Sequence, residues 1–83
     1  MIGMLWFDAD PRSTLEEKIK KANDYHVGKY GAMAKTCLVN RKDAADLDLA
    51  ALSSKIGMTV RVDQYIARNT ILMGADKSLE VAK

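Results

Sequence analysis

The amino-acid sequence predicts an α/β fold, or its α+β variant, with two helices packed on one face of a small mixed sheet. Four short runs with apolar or alternating side chains are typical of strands: residues 4–7, 36–39, 58–63 and 70–73. Two longer segments, 13–30 and 40–56, repeat apolar side chains at the i, i+4, i+7, i+11 spacing of a helix face. The predicted order is α-β-α-β-β, and residues 4–7 form either a further N-terminal strand or an arm.

The composition indicates one folded domain spanning residues 1–83, with an arm or strand at 1–12, a core at 13–74 and a tail at 75–83. Hydrophobic residues make up 48% of the chain, which is typical of a globular protein and not of a disordered one. The single cysteine excludes an intramolecular disulfide, and no apolar run is long enough to span a membrane. The sequence therefore predicts a soluble, cytoplasmic protein with no membrane partner.

The first helix has clear boundary signals. Ser13 and Thr14 can both act as N-caps, because each has a glutamate three residues later, the spacing of a capping box: Glu16 after Ser13 and Glu17 after Thr14. Gly31 accepts the left-handed backbone angles of a helix terminus, so we expect the helix to end there.

The second helix is predicted to begin with Asn40 or Asp43 as its N-cap and to end at Gly57. Because this helix connects the runs at 36–39 and 58–63, those two strands should be parallel. The last strand should run antiparallel to its predecessor, and residues 64–69 are long enough for a hairpin loop between them.

The sheet has more apolar side chains than two helices on one face can cover. Alternation assigns Leu38 and Leu72, together with part of Trp6–Phe7, to the opposite face. Exposed apolar groups of this kind mark interfaces, so the sequence predicts self-association through the second face or an edge of the sheet. Tyr65 and Ile66 are bulky residues in a predicted loop, and they either fold back onto the core or contact a partner.

No arrangement typical of a catalytic, cofactor or metal site is found in the sequence. His26 lies on the apolar stripe of the first helix and Cys37 lies in an apolar strand, so both are interpreted as packed residues. Asp8 and Asp10 precede Pro11, which is typical of a turn before a helix. The glycines form no phosphate-binding pattern.

Basic residues support an alternative function. Arg41 and Lys42 begin the second helical segment, Arg61 lies on the polar side of a strand, and Arg68 follows Tyr65 in a loop. Arginine beside an aromatic residue can hold a nucleic-acid base or its backbone. The net charge of only +2 favours a solvated surface over extensive phosphate contacts.

Part of the chain, residues 36–76, resembles a segment of tailed-phage major capsid proteins. The segments that carry the resemblance are LVNRKDAADL, IGMTVRVD and NTILMGAD. In that family a strand leads through an Asn-Pro turn into a helix, and two strands follow; Arg41 stands at the position of the family's proline. The chain is also similar to small prokaryotic α/β proteins of unassigned function. The resemblance implies the strand–helix–strand–strand topology.

The leading functional interpretation is therefore a small non-enzymatic binding or assembly module that acts as a homo-oligomer, with a homodimer as the simplest form. A nucleic-acid-binding or regulatory protein is the alternative. A third hypothesis is an enzyme whose site forms only between subunits and includes His26 or Cys37.

Overall fold

The computed structural model describes residues 3–74 and confirms the predicted class, with two helices packed against a four-stranded mixed sheet. The elements in chain order are β1 (Met4–Phe7), α1 (Leu15–Tyr30), β2 (Thr36–Val39), α2 (Leu49–Ile56), β3 (Thr59–Val62) and β4 (Thr70–Gly74). The N-terminal run is therefore a strand of the sheet. The predicted tail at 75–83 lies outside the described residues.

The strands lie side by side in the order β1-β4-β2-β3. β2 is parallel to β3, as predicted, and β4 lies antiparallel between β2 and β1. The expected hairpin between β3 and β4 is wrong, because these two strands are not neighbours. Three consecutive apolar residues, Ile71 to Met73, suit β4 to an interior position with a strand on each side, whereas alternating β3 suits an edge.

Helix α1 has the predicted boundaries. The Thr14 hydroxyl accepts a hydrogen bond from the Glu17 backbone N–H at 3.1 Å, and the Thr14 N–H donates to the Glu17 carboxylate at 2.8 Å. At the other end Gly31 has φ +76° and donates its N–H to the Val27 carbonyl. This reciprocal capping box satisfies two of the donors that every helix N-terminus leaves unpaired.

Helix α2 begins later than predicted. Asp48 is its N-cap and accepts from the N–H groups of Ala50 and Ala51 at 3.1 and 3.2 Å. Residues 41–46 form successive turns instead. Asn40 accepts from the Lys42 N–H in the manner of a cap, but the residues that follow it form turns and not a helix. The Asp43 carboxylate binds the loop before β4 instead.

The core lies between the helices and one face of the sheet. The helices contribute Ile19, Ala22 and Leu52, and the sheet contributes alternate residues of every strand. The sheet residues of this core cluster are Met4, Cys37, Val39, Val60, Ile71 and Met73. Between residues 3 and 74, neither helix combines the length and the apolar character that a membrane crossing requires.

Candidate functional site

The second face of the sheet carries a row of side chains that crosses all four strands. The register places Leu5 opposite Leu72, Leu72 opposite Leu38, and Leu38 opposite Arg61. Side chains alternate along a strand, so this row lies on the face opposite the core residues. The assignment of Leu38 and Leu72 to the second face is thus in agreement with the strand register.

The accessible apolar side chains of this face lie mainly on β1. Leu5 and Phe7 are each 68% exposed, and Leu72 beside them is half-buried. Leu38, in contrast, is only 5% exposed. We call Leu5, Phe7 and Leu72 the β1 patch, because the accessible apolar surface is concentrated on that strand and its neighbour.

The β1 patch lies at one edge of the sheet. β1 is the terminal strand of the order β1-β4-β2-β3, and its four residues carry no charge. Proteins commonly protect edge strands with charged residues, proline or a short length. β1 is short, but its four residues include neither a charged side chain nor proline.

A second distinctive region lies at the carboxyl ends of β1, β2 and β3. β1, β2 and β3 all run in the same direction, because β4 is antiparallel to both β1 and β2 and β3 is parallel to β2. Their carboxyl ends therefore meet at one edge, with the loops at residues 8–14, 40–48 and 63–69. In sheets with parallel strands this is the edge where ligand sites form.

Asp43 joins two of these loops. Its carboxylate accepts from Arg68 Nε at 2.5 Å and from the backbone N–H of Asn69 at 2.7 Å. The Asn40 amide donates to the Ile66 carbonyl at 2.7 Å. These contacts join residues 25 or 26 positions apart in the chain, so they belong to the tertiary structure.

The third loop is attached through backbone groups. The Asp8 N–H donates to the Asn69 carbonyl at 2.9 Å. Asn69 has a left-handed φ of +63°, a conformation that asparagine tolerates better than most residues do. Asn69 thus contacts both neighbouring loops through its own backbone.

A cleft of about 430 Å³ lies between these loops and the first turns of α1. We call it the carboxyl-end cleft. Its residues are Ala9, Pro11, Ser13, Leu15, Lys18, Lys42, Asp43, Arg68, Asn69 and Ile71. Three of them are cationic and one is acidic, and Pro11, Leu15 and Ile71 provide apolar surface.

The four basic residues of the nucleic-acid hypothesis do not form one surface. Lys42 and Arg68 line the carboxyl-end cleft, whereas Arg41 lines a separate pocket of about 300 Å³ with Tyr65. Arg61 lies on the second face of the sheet, opposite Leu38 in the register. The nucleic-acid hypothesis stays a prediction.

The predicted loop pair separates into two different environments. Tyr65 is 84% exposed, whereas Ile66 is 9% exposed and belongs to the buried apolar residues. The Tyr65 N–H donates to the Asp63 carboxylate at 2.8 Å, which fixes the start of the turn. Only the Tyr65 side chain is accessible to a partner, and the role of Tyr65 and Ile66 in an interface stays a prediction.

Cys37 and His26 are both packed into the protein. Burial raises the pKa of the Cys37 thiol to about 12, so it is protonated near neutral pH. His26 is buried in the last turns of α1, where its Nδ1–H donates to the Ala32 carbonyl at 2.7 Å. The Tyr30 ring lies against the imidazole at 4.7 Å between centroids, within the last turn of α1. The bond to Ala32 therefore holds the segment after the helix, and the ring contact packs the helix end.

The acidic pair before α1 forms a turn, as predicted. The Asp8 carboxylate accepts from the Asp10 N–H at 3.0 Å, and the Asp10 carboxylate accepts from Arg12 Nε at 3.1 Å. The hydrogen bonds from Arg12 lower the pKa of Asp10. Residues 3–74 contain no group of three histidine, cysteine or acidic side chains that could hold a metal ion.

Two signals in the sequence could have located these sites more closely. For the β1 patch, the uncharged run at 4–7 before an Asp-Ala-Asp-Pro break indicates a short apolar strand. For the carboxyl-end cleft, the signal is Lys18, which lies one turn inside α1. Neither signal shows which strands are neighbours.

Comparison with protein-family models, with curated proteins and with solved structures finds no match to this chain, so the capsid resemblance stays a prediction.

Proposed function

We propose that this protein is a non-enzymatic assembly module that functions as a homodimer through the β1 patch. The observation that carries the proposal is the 68% exposure of both Leu5 and Phe7 on an uncharged edge strand. Large apolar side chains on an accessible edge are a template for pairing with another strand. A second copy of the same chain provides an edge of matching shape and polarity.

A two-fold axis accounts for how two copies would meet. Antiparallel pairing of β1 with β1 of the other copy, centred on Trp6, places Leu5 of each copy opposite Phe7 of the other. Directly opposite residues of an antiparallel pair lie on the same face, so the apolar side chains of both copies form one surface. Such an interface uses the same residues on both sides, as dimeric interfaces commonly do.

The strength of this dimer follows from the size of the patch. Burying a large apolar side chain completely contributes about 1.5–3 kcal/mol, so the Leu5 and Phe7 side chains of both copies, each 68% exposed, together contribute about 4–8 kcal/mol. Loss of translational and rotational freedom costs about 4–15 kcal/mol. Backbone hydrogen bonds add about 1 kcal/mol each. These opposing contributions predict association in the micromolar range or weaker.

Sedimentation equilibrium of the full chain between about 10 µM and 1 mM tests the proposal, a range set by that weak association. The wild-type mass should rise toward the dimer. Leu5→Lys and Phe7→Lys should each remain monomeric, because a desolvated ammonium opposes the contact. Both side chains are largely exposed, so circular dichroism should show an unchanged fold.

Tyr65→Lys is the matched control, because it places the same charge at another exposed ring. It should dimerise as the wild type does. A wild-type mass that stays monomeric throughout would refute the proposal. Dissociation by Tyr65→Lys, with no effect of Leu5→Lys, would move the interface to the loop at 63–69.

A further inference from the structure

We infer that the carboxyl-end cleft binds a small phosphate ester, with the phosphate held by Lys18, Lys42 and Arg68. This site is separate from the β1 patch, since its lining comes from α1, β4 and the three loops at the carboxyl ends of the strands. Binding there is therefore independent of the proposed dimer.

The charge of the cleft favours a dianion. Lys18, Lys42 and Arg68 line it against one carboxylate, that of Asp43. The Asp43 side chain is only 11% exposed and already accepts hydrogen bonds from Arg68 and from the Asn69 N–H. Arg68 matches the negative charge of Asp43, so Lys18 and Lys42 leave the lining with two unmatched positive charges. That excess equals the net charge of the whole chain, +2.

Two further acids lie beside the lining, Asp8 and Asp10, and the Asp8 carboxylate accepts from the Asp10 N–H. Asp10 lies outside the lining, but Lys18 contributes to the lowered pKa of its carboxyl group. The main partner of Asp10 is Arg12, whose side chain and backbone N–H both donate to it. Asp10 therefore engages mainly Arg12, and Lys18 lines the cleft with its charge only partly offset.

The cleft is held in shape before any ligand binds. Asp43 joins the loops at 40–48 and 63–69, and the Asp8 N–H attaches the loop at 8–14 to Asn69. A binding site whose backbone is already ordered loses less conformational freedom on binding than a mobile loop does. Only the lysine side chains need to become ordered around an anion.

The shape and lining of the cleft indicate the ligand's chemical class. A volume of about 430 Å³ lies within the range of small-molecule sites. Pro11 and Leu15 offer an accessible apolar surface beside the cations, and the buried Ile71 completes the lining. This surface suits a ring or short hydrocarbon attached to the anion. A phosphate monoester carries up to two charges and three acceptor oxygens, so it engages both lysines and Arg68, whereas a carboxylate has a single charge.

Two probes with the same ring and different anions test the inference: phenyl phosphate and benzoate. Each is titrated into the ¹⁵N-labelled full chain at constant ionic strength, and amide shifts are recorded. Phenyl phosphate should shift the amides of residues 9–18 other than Pro11, which has no N–H, and those of residues 42–43 and 68–71. Benzoate should bind about tenfold more weakly because it loses one charged contact. Inorganic phosphate should bind at the same residues, also more weakly than phenyl phosphate.

Lys42→Ala and Lys18→Ala should each weaken phenyl phosphate about tenfold, the expected loss of one charge-assisted contact. Lys29→Ala, which removes the same charge from an exposed position in the last turn of α1, should have no effect. Leu5→Lys should bind phenyl phosphate as the wild type does, because the β1 patch is not part of the site.

Three outcomes would overturn the inference: equal affinity for benzoate, equal weakening by Lys29→Ala, or shifts confined to other residues. A short oligothymidylate provides the remaining comparison. If it binds more tightly than phenyl phosphate and shifts Arg41 and Tyr65 as well, the surface recognises single-stranded nucleic acid and the small-ligand assignment is wrong.

Discussion

Cys37 and His26 are the two side chains on which a catalytic interpretation of this chain would depend, and both serve the packing instead. Cys37 belongs to the interior strand β2, and His26 is buried where α1 ends. A thiol that is protonated near neutral pH and shielded from solvent cannot act as a nucleophile there. The geometry thus offers no support to a thiol mechanism, and His26 has a structural role through its bond to Ala32.

The Cys37 thiol supplies a prediction at this scale. Iodoacetamide at pH 7.5 should modify it about a thousandfold more slowly in the folded protein than in denaturant, because its pKa is raised from 9.0 to about 12. The unfolded thiol ionises first as pH rises, so the free energy of unfolding should fall between pH 9 and 12. Mass spectrometry measures the first effect and urea titrations the second. Cys37→Ala should abolish the thiol-dependent part of the pH effect, and rapid alkylation of the native protein would contradict the assignment.

At the scale of elements, the two helices differ in how far local sequence determined them. α1 has a capping box and a terminal glycine that act within one turn of each helix end. α2 was predicted to start at Asn40 or Asp43, but those side chains make contacts elsewhere and Asp48 caps the helix. Both predicted caps contact the loop at 63–69, and that long-range contact, not the local sequence, moves the start of α2 to Asp48.

Replacement of the observed cap tests this assignment. Asp48→Ala should reduce the free energy of unfolding by about 1 kcal/mol, because two N–H groups of α2 lose their acceptor. Asp46→Ala is the matched control, an exposed aspartate two residues earlier, and should change stability by less than about 0.5 kcal/mol. Urea unfolding measures both, and equal effects of the two variants would contradict the placement of the cap.

At the scale of the whole molecule, one strand insertion organises both candidate surfaces. β4 lies between β1 and β2 and is antiparallel to both, so three strands end at the same edge and their loops form the carboxyl-end cleft. The same insertion places β1 at the rim of the sheet, where Leu5 and Phe7 are exposed. The cleft and the β1 patch are thus two consequences of one topology.

Asp43 is the side chain that most directly reports this arrangement. Asp43→Ala should lower the free energy of unfolding by about 1–3 kcal/mol, because the Asn69 N–H and the Arg68 guanidinium lose a shared acceptor. The loss should exceed that of Asp46→Ala, which serves again as the control. Urea denaturation of both variants provides the comparison, and a change below about 0.5 kcal/mol for Asp43→Ala would mean that the loops are held by other contacts.

Much of the fold could be predicted from the sequence because the relevant signals act over a few residues. The capping box at Thr14, the left-handed glycines and the alternation of β3 are local, and so is the parity that put Leu38 and Leu72 on the second face. Exposure depends on more. Leu38 is buried and Leu5 is open although both occupy the same row, so side-chain parity alone does not determine exposure.

The sequence by itself therefore determined which segments become helices and strands, which face of each is apolar, and that β2 and β3 run in parallel. The tertiary structure alone decided that β4 enters between β1 and β2, that Asp43 joins two loops instead of capping α2, and that Lys18, Lys42 and Arg68 line one cleft. The physical reason is distance along the chain. Periodicity and capping are settled within a helical turn, whereas strand order is a choice among whole-chain arrangements that bury similar apolar surface.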